Sequence, residues 1–244
     1  MTALSVNLNK LALLRNSRGR NYPDLCSFAE RFIALGVQGI TIHPRPDERH
    51  VRRRDAFALA EMLRAHPHVA FNIEGYPSPA FMQLVTEVRP QQCTLVPDAD
   101  NQLTSDHGWD CVAEQDLLRS TCSNLRGLGI RAAVFLDADP AQAGHAAAVG
   151  ADRIELYTEA WAQAFGHPEA AAVGERYRQT ALAAQQAGLG VNAGHDLDLR
   201  NLADFLRIPG ILEVSIGHAL TVECIEQGME QVVPQYLAIC RKGA

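Results

Sequence analysis

The sequence predicts an α/β fold, a (β/α)8 TIM barrel with additional short helices, and three observations predict it. Eight short apolar runs, often β-branched, recur along the 244 residues. Helical patterns with start and stop signals separate them. Nearly every run also ends on a polar residue able to do chemistry: Asn7, His43, Glu74, Asp98, Asp137, Glu155, Asn192 and the pair Gly217-His218. In such a barrel the C-terminal strand ends form a single face, so residues distant in sequence can act on one ligand. The row of polar ends is the expected outline of an active site.

The strands are predicted at 4–8, 39–43, 69–73, 93–96, 132–136, 153–157, 189–192 and 212–216. Several read as nearly continuous apolar runs, which suits strands buried on both faces of a parallel sheet. In the first, Asn7 and Asn9 alternate with apolar residues, which sends amides toward the barrel interior. A basic loop, Leu14-Arg15-Asn16-Ser17-Arg18-Gly19-Arg20, follows, and at least one of its arginines is expected to bind an anion. Asp24 then precedes a stripe of Leu25, Phe28, Ala29, Phe32 and Ile33, with Gly36 as a stop. Ser78-Pro79 and Asp139-Pro140 each set a capping residue before a proline in the first helical turn, where the missing N–H costs nothing. Gly150 and Gly188 stop two later helices. Two connections exceed what the repeat needs, 97–112 and 158–168, and long loops on a barrel's catalytic face are lids or binding segments; for the second, an oligomer contact is an equal reading. No linker or charge block divides the chain, so residues 1–244 are expected to form one barrel domain, near the ~250 residues typical of the class.

Composition excludes several classes of function. Nearly half of the residues are hydrophobic and a fifth charged (47% and 20%), enough core to rule out a wholly disordered chain. A net charge of −6 gives no reason to expect nucleic acid or an acidic membrane as partner. No apolar run approaches the roughly 18 residues needed to span a bilayer, and the first residues lack a secretory pattern. A cytoplasmic location is expected. Six cysteines (Cys26, Cys93, Cys111, Cys122, Cys224, Cys240) form no C-x-x-C pair and no cluster with histidine, so they read as reduced, buried thiols, and no metal is expected. A Walker loop, a G-x-G-x-x-G after a strand, H-E-x-x-H and a nucleophile elbow are all missing. His66-Pro67-His68 precedes a strand and belongs to the opposite, stability face.

The chemistry concentrates at the strand ends. His43 can move protons near neutral pH, and Arg45 can grip a phosphate with two parallel hydrogen bonds. His50 follows in the same loop, whereas Arg49, Arg52, Arg53 and Arg54 read as a solvated basic stretch. A carboxylate at a buried strand end, Glu74, is costly unless partnered or used, and burial would raise its pKa toward a useful acid–base value. Glu155 and Asp137 are similarly placed and could orient a catalytic neighbour. Asn192-Ala193-Gly194-His195-Asp196 and Ile216-Gly217-His218-Ala219 end the last two strands, where barrels commonly bind phosphate through backbone N–H groups at a helix start. Lys10 at the barrel mouth could form a Schiff base, neutralise a phosphate or reach solvent.

Taken in order, these segments resemble the pyridoxine 5′-phosphate synthase family of vitamin B6 biosynthesis over essentially the whole chain. The match is carried by Val6-Asn7, Leu14 through Gly19, Gly39 through Arg45 with Arg49-His50, Phe71-Asn72-Ile73-Glu74, Leu95-Val96-Pro97, Phe135 through Asp139, Asn192 through His195, and Ile216 through Ala219. The resemblance implies condensation of 1-deoxy-D-xylulose 5-phosphate with 3-amino-2-oxopropyl phosphate, releasing phosphate and water, without a cofactor. It implies His43, Glu74 and His195 as acid–base residues. Asn7 and Arg18 would hold the amino-ketone phosphate, Arg45, His50 and Thr104 the pentulose phosphate, and Gly217 and His218 would cradle a phosphate. It also implies a homo-oligomer, dimers joining into larger rings up to an octamer. Asn9-Lys10 stands where the family pattern has Asp-His, and is read as a variant site for a sugar hydroxyl and a phosphate. Asp196 replaces a glycine; its N–H could serve a phosphate while its carboxylate should face away. Tyr157 stands where a histidine is expected. Two other readings remain open: a phosphosugar aldolase or isomerase using Lys10 as its Schiff base, and a phosphate-binding homologue without catalysis.

Overall fold

The computed structural model describes residues 1–98 and 102–243. Eight parallel strands close into a barrel in sequence order: β1 (Ala3–Asn7), β2 (Gly39–Ile42), β3 (Ala70–Gly75), β4 (Gln92–Leu95), β5 (Arg131–Leu136), β6 (Arg153–Tyr157), β7 (Gly190–Gly194) and β8 (Ile211–Ile216), with β8 returning to pair with β1. The helices described around it are α1 (Asn9–Asn16), α2 (Leu25–Ala34), α3 (Arg53–Leu63), α4 (Pro79–Val88), α5 (Gln115–Gly127), α6 (Pro140–Ala148), α7 (Glu159–Ala164), α8 (Ala170–Gln186), α9 (Leu202–Phe205), α10 (His218–Gln227) and α11 (Met229–Lys242). This is the predicted (β/α)8 barrel with its extra short helices. None of the helices described is long and apolar enough to cross a membrane.

The predicted helix signals act as expected. The Ser27 N–H donates to Asp24 Oδ1 at 2.8 Å, the Phe81 N–H to Ser78 Oγ at 3.3 Å, and the Ala141 N–H to Asp139 Oδ1 at 3.0 Å. Each bond satisfies an amide that the first helical turn leaves open. Gly36, Gly150 and Gly188 end their helices at positive φ, where a glycine carries no Cβ penalty.

Two expectations need correction. Asn9 does not continue the first strand: it opens α1, and Leu14, Arg15 and Asn16 belong to that helix instead of a loop. The 158–168 connection contains α7. The strands are buried on both faces, as their near-continuous apolar runs predicted, but the two faces differ in character. Leu4, Val6, Ile40, Ile42, Phe71, Ile73, Cys93, Leu95, Ile154 and Leu156 belong to the hydrophobic core cluster, and each such side chain contributes ~1.5–3 kcal/mol when fully buried. The residues between them bond across the lumen: Thr94 Oγ1 donates to Glu155 Oε2 at 3.2 Å and to Asn72 Oδ1 at 3.1 Å, and Asn192 Nδ2 donates to Gln92 Oε1 at 3.4 Å. Since β4 is not paired with β6 or β7 in the barrel order, those side chains must point inward. The barrel is therefore filled by a polar column that leads up to the mouth.

Candidate active site

The C-terminal strand ends open into a cavity of about 460 Å³. Every predicted site residue but one lines it: Asn7, Asn9, Lys10, His43, Arg45, His50, Glu74, Thr104, His195, Asp196, Gly217 and His218. The exception is Arg18, which is exposed beyond the end of α1 and takes no part in the lining. None of the six cysteines lines it either.

At the centre, His43 follows β2 and lies between two carboxylates. Its Nδ1 is 3.9 Å from Glu74 Oε2, and its Nε2 is 4.0 Å from Asp98 Oδ2. Burial, then the charges of Arg45, His50 and His195, hold the imidazole well below its usual pKa, so it is neutral and able to accept a proton. Burial pushes the opposite way on Glu74, aided by the nearby carboxyls of Glu155, Asp98 and Glu213, and lifts it well above the carboxylate range. The Asn7 amide donates to Glu74 Oε2 at 3.3 Å. Glu155, one strand layer below, is raised to about 8 by burial and by Glu213. The floor of the site thus holds carboxyls that keep their protons near neutral pH, beside a base that lacks one.

Asp98 organises the next wall. Its Oδ2 accepts from the Arg45 guanidinium and, at 2.7 Å, from Ser105 Oγ, while its Oδ1 is buried without a hydrogen-bond partner among the described residues. Arg45 is fixed further by the Gln102 carbonyl at 3.1 Å. His50 accepts the Val51 N–H at Nδ1, 2.9 Å away, which leaves the proton of a neutral ring on Nε2. Its pKa falls to about 4, through burial first and then the charges of Arg45 and Arg49. His50 is therefore a neutral donor over the physiological range.

Behind this wall α1 acts as a brace. Arg15 is buried and donates to both oxygens of Asp55, at 2.8 and 2.7 Å, and to the His50 carbonyl at 3.2 Å. Asn16 Nδ2 donates to the His50 carbonyl as well, at 2.7 Å. Arg15 thus supports the loop that presents Arg45 and His50, and its fork is already filled by a carboxylate, which corrects its reading as an anion-binding candidate. Asn9, at the other end of α1, accepts the His43 N–H on Oδ1 at 2.9 Å, leaving its Nδ2 for a ligand.

The far wall carries His195, on a turn just beyond β7. Its ring meets Tyr157 edge-on, with centroids 4.9 Å apart, and Phe135 at 6.0 Å. The Tyr157 hydroxyl donates to Glu159, so this tyrosine stacks against the histidine and directs its polar end away to α7. Asp196 lines the cavity too, with Oδ2 4.0 Å from His195 Nδ1. At the last strand end, Gly217 is the N-cap of α10 and His218 its first residue. A Cβ on Gly217 would lie 3.1 Å from the Asn7 Cβ, so a side chain there would crowd the first strand end. The start of a ten-residue helix then lies at the mouth, and a helix N-terminus favours an anion.

Several wall residues were not singled out from the sequence: Phe135, Ser105, Glu159 and Ser215, with Asp98 marked but given no role and Glu155 marked only as a group that could orient a neighbour. Strand alternation carried the signal for Phe135, Glu155 and Ser215, which share the inward register of Asp137, Tyr157 and Gly217. Ser105 and Glu159 had none, since each is placed by a loop or short helix outside the repeat.

A closed parallel barrel whose C-terminal mouth gathers imidazoles and carboxyls beside cationic side chains and a helix N-terminus has the layout of a barrel enzyme. Comparison with known proteins narrows it. Residues 4–242 match the family model described as pyridoxal phosphate biosynthesis protein PdxJ, and the chain belongs to that family. It is 49% identical to the pyridoxine 5′-phosphate synthase of Xanthomonas campestris pv. campestris (strain B100), over 100% of this chain and 98% of that protein. With that of Bacteroides fragilis (strain YCH46) it is 48% identical, over 97% of this chain and 98% of the relative. Among solved structures, the Amycolatopsis orientalis BexX/CysO complex aligns with TM-score 0.66 at 14% identity, covering 100% of this chain and 89% of that one. Phosphoribosyl anthranilate isomerase from Thermus thermophilus aligns at 0.60 and 15% identity, over 98% of this chain and 100% of the other. These last two share the fold alone.

Proposed function

We propose that the chain is a pyridoxine 5′-phosphate synthase, condensing 1-deoxy-D-xylulose 5-phosphate with 3-amino-2-oxopropyl phosphate to pyridoxine 5′-phosphate, phosphate and water. The observation that carries this reading is the convergence of His43, Glu74 and His195 on one cavity, between the Arg45–His50 wall and the N-terminus of α10. Two phosphorylated substrates need two anion holders with proton carriers between them.

Arg45, the neutral Nε2–H of His50 and Thr104 take the pentulose phosphate, and Asn9 Nδ2 with Lys10 takes its hydroxyl end. Asn7, the backbone at Asp196, Gly217 and His218 take the amino-ketone phosphate. Arg18 has no place in this set within a single chain. Amine addition to the pentulose ketone creates a hydroxyl that must leave as water, and phosphate loss and ring closure each move further protons. Neutral His43 removes protons, Glu74 gives one up and takes it back as the ring closes, and His195 protonates leaving oxygen. General acid–base steps of this kind contribute about 10²–10⁴-fold each. Self-association into a homo-oligomer belongs to the same reading and rests on the family resemblance; sedimentation velocity tests it. The function is tested by incubating the purified chain with both substrates and following the absorbance of the pyridine product. Product from the pair and none from either substrate alone is expected, and no product from the pair refutes the reading.

A further inference from the structure

His195 reaches the cavity from a backbone that L residues rarely adopt. Its φ is +86°, and Asp196 follows at +57°. The turn is tied down on its outer side: the Thr158 hydroxyl bonds to the carbonyls of Gly194, at 2.7 Å, and His195, and Asn201 Nδ2 donates to the Asp196 carbonyl at 3.0 Å. Aspartate enters the left-handed region more readily than most residues, but glycine does so without strain. Backbone geometry alone would therefore favour glycine, and a carboxylate at this point calls for another reason.

The carboxylate is directed at the imidazole. Asp196 Oδ2 is 4.0 Å from His195 Nδ1, beyond hydrogen-bond length but inside charge-pairing range, and catalytic contacts of this sort are often long in an empty site and tighten on binding. The other faces of the ring are closed by Tyr157 and Phe135, and Nε2 makes no hydrogen bond among the described residues. The titratable and charged groups around the ring are His43 on the β2 side, Glu155 and Tyr157 on β6, Glu159 on α7, Lys10 on α1 and His218 on α10, all lining the same cavity. Glu159 is occupied by the Tyr157 hydroxyl. His195 beside it holds the Asp196 carboxyl below its usual pKa, against the opposing effect of burial, with help from His218 and Lys10. Asp196 is thus the ionised group at Nδ1.

We propose that Asp196 is a positioning residue for His195: its carboxylate takes the Nδ1–H of the imidazole, so that Nε2 is the nitrogen presented to the substrate. The inference rests on the reading of His195 as a proton donor. An imidazolium that gives its proton from Nε2 is left as the Nδ1–H tautomer, the form a carboxylate at Nδ1 favours.

The test uses Asp196→Gly and Asp196→Asn, both compatible with a left-handed residue. Two readouts apply: the His195 ring tautomer by carbon and nitrogen NMR at alkaline pH, and the pH dependence of kcat. Wild type is expected to show the Nδ1–H tautomer. Asp196→Gly shifts it toward Nε2–H, whereas Asp196→Asn retains it, because an amide oxygen still accepts from Nδ1. Both variants lose the charge, so the alkaline limb of kcat moves to lower pH in both. At pH 7 kcat falls roughly 10- to 100-fold, no more than a full general-acid contribution, with KM for either substrate within about threefold. A wild-type Nε2–H tautomer, or an unchanged tautomer in Asp196→Gly, overturns the proposal. A tautomer that moves in Asp196→Gly while the limb stays in both variants supports the hold on Nδ1 and refutes His195 as the donor.

Discussion

Glu74 is the residue on which burial and charge act most directly. Burial penalises its charge and three other carboxyls crowd it, against a single opposing guanidinium on Arg45, so its carboxyl holds its proton near neutral pH. Replacement of Glu74 by Gln keeps the shape and the Asn7 contact but removes the exchangeable proton. Turnover is expected to fall by about 100-fold or more, with KM for both substrates little changed; steady-state kinetics at wild-type turnover would remove Glu74 from the proton path. Glu155 allows a stability test. Its folded pKa of about 8 lies above its unfolded value, so between the ordinary carboxylate range and pH 8 the folded state binds the extra proton and stability from this group falls as pH rises. Glu155→Gln removes that dependence. Its urea midpoint should draw level with or pass wild type toward pH 8–9 and lose that advantage toward pH 4–5; a constant difference across the window would mean that Glu155 does not titrate there. The position of Glu74 was legible because a carboxylate ending an apolar run has few bland explanations. The role of Asp98 was not, since its partners Arg45 and Ser105 lie 53 and 7 residues away and nothing in the sequence ties them together.

Among elements, α1 shows why part of the site escaped a sequence reading. It is eight residues long, its N-cap is Leu8 and no side chain caps it, so it lacks every start signal that marked α2, α4 and α6. Arg15 then looked like one member of a basic loop, although its side chain is 2% exposed and forked onto Asp55. The short helix α7, six residues without a capping bond, was hidden for the same reason. Breaking a buried pair strands the remaining charge, at a cost of about 3–5 kcal/mol. Arg15→Ala should lower unfolding free energy by that order in urea denaturation, and should raise KM for the pentulose phosphate more than for the amino-ketone phosphate, because the freed loop carries Arg45 and His50. A loss below ~1 kcal/mol, the level of an exposed pair, would contradict the bracing role.

At the scale of the molecule, one period-two pattern serves both stability and function. Alternate strand residues either join the apolar cluster under the helices or form the polar column that rises to His43, Glu74 and His195. The apolar runs made all eight strands legible to within two residues, and Asn7, His43, Glu74 and Gly217-His218 followed from the strand ends, whereas Arg18 and Thr104 came only with the family resemblance. Loops carried the remainder: the side chains of 102–112 and α7 are placed by tertiary contacts, such as the Trp109 Nε1–H donating to the Leu95 carbonyl at 2.9 Å, which no local pattern announces. In the proposed reaction this single mouth joins two phosphorylated substrates and expels one phosphate. Phosphorus NMR of the purified chain with both substrates tests it most directly. Inorganic phosphate and pyridoxine 5′-phosphate are expected to grow together in equal amounts, only when both substrates are present, with Glu74→Gln slowing both signals alike. Phosphate esters that interconvert or cleave without release of inorganic phosphate, or phosphate release from one substrate alone, would contradict it.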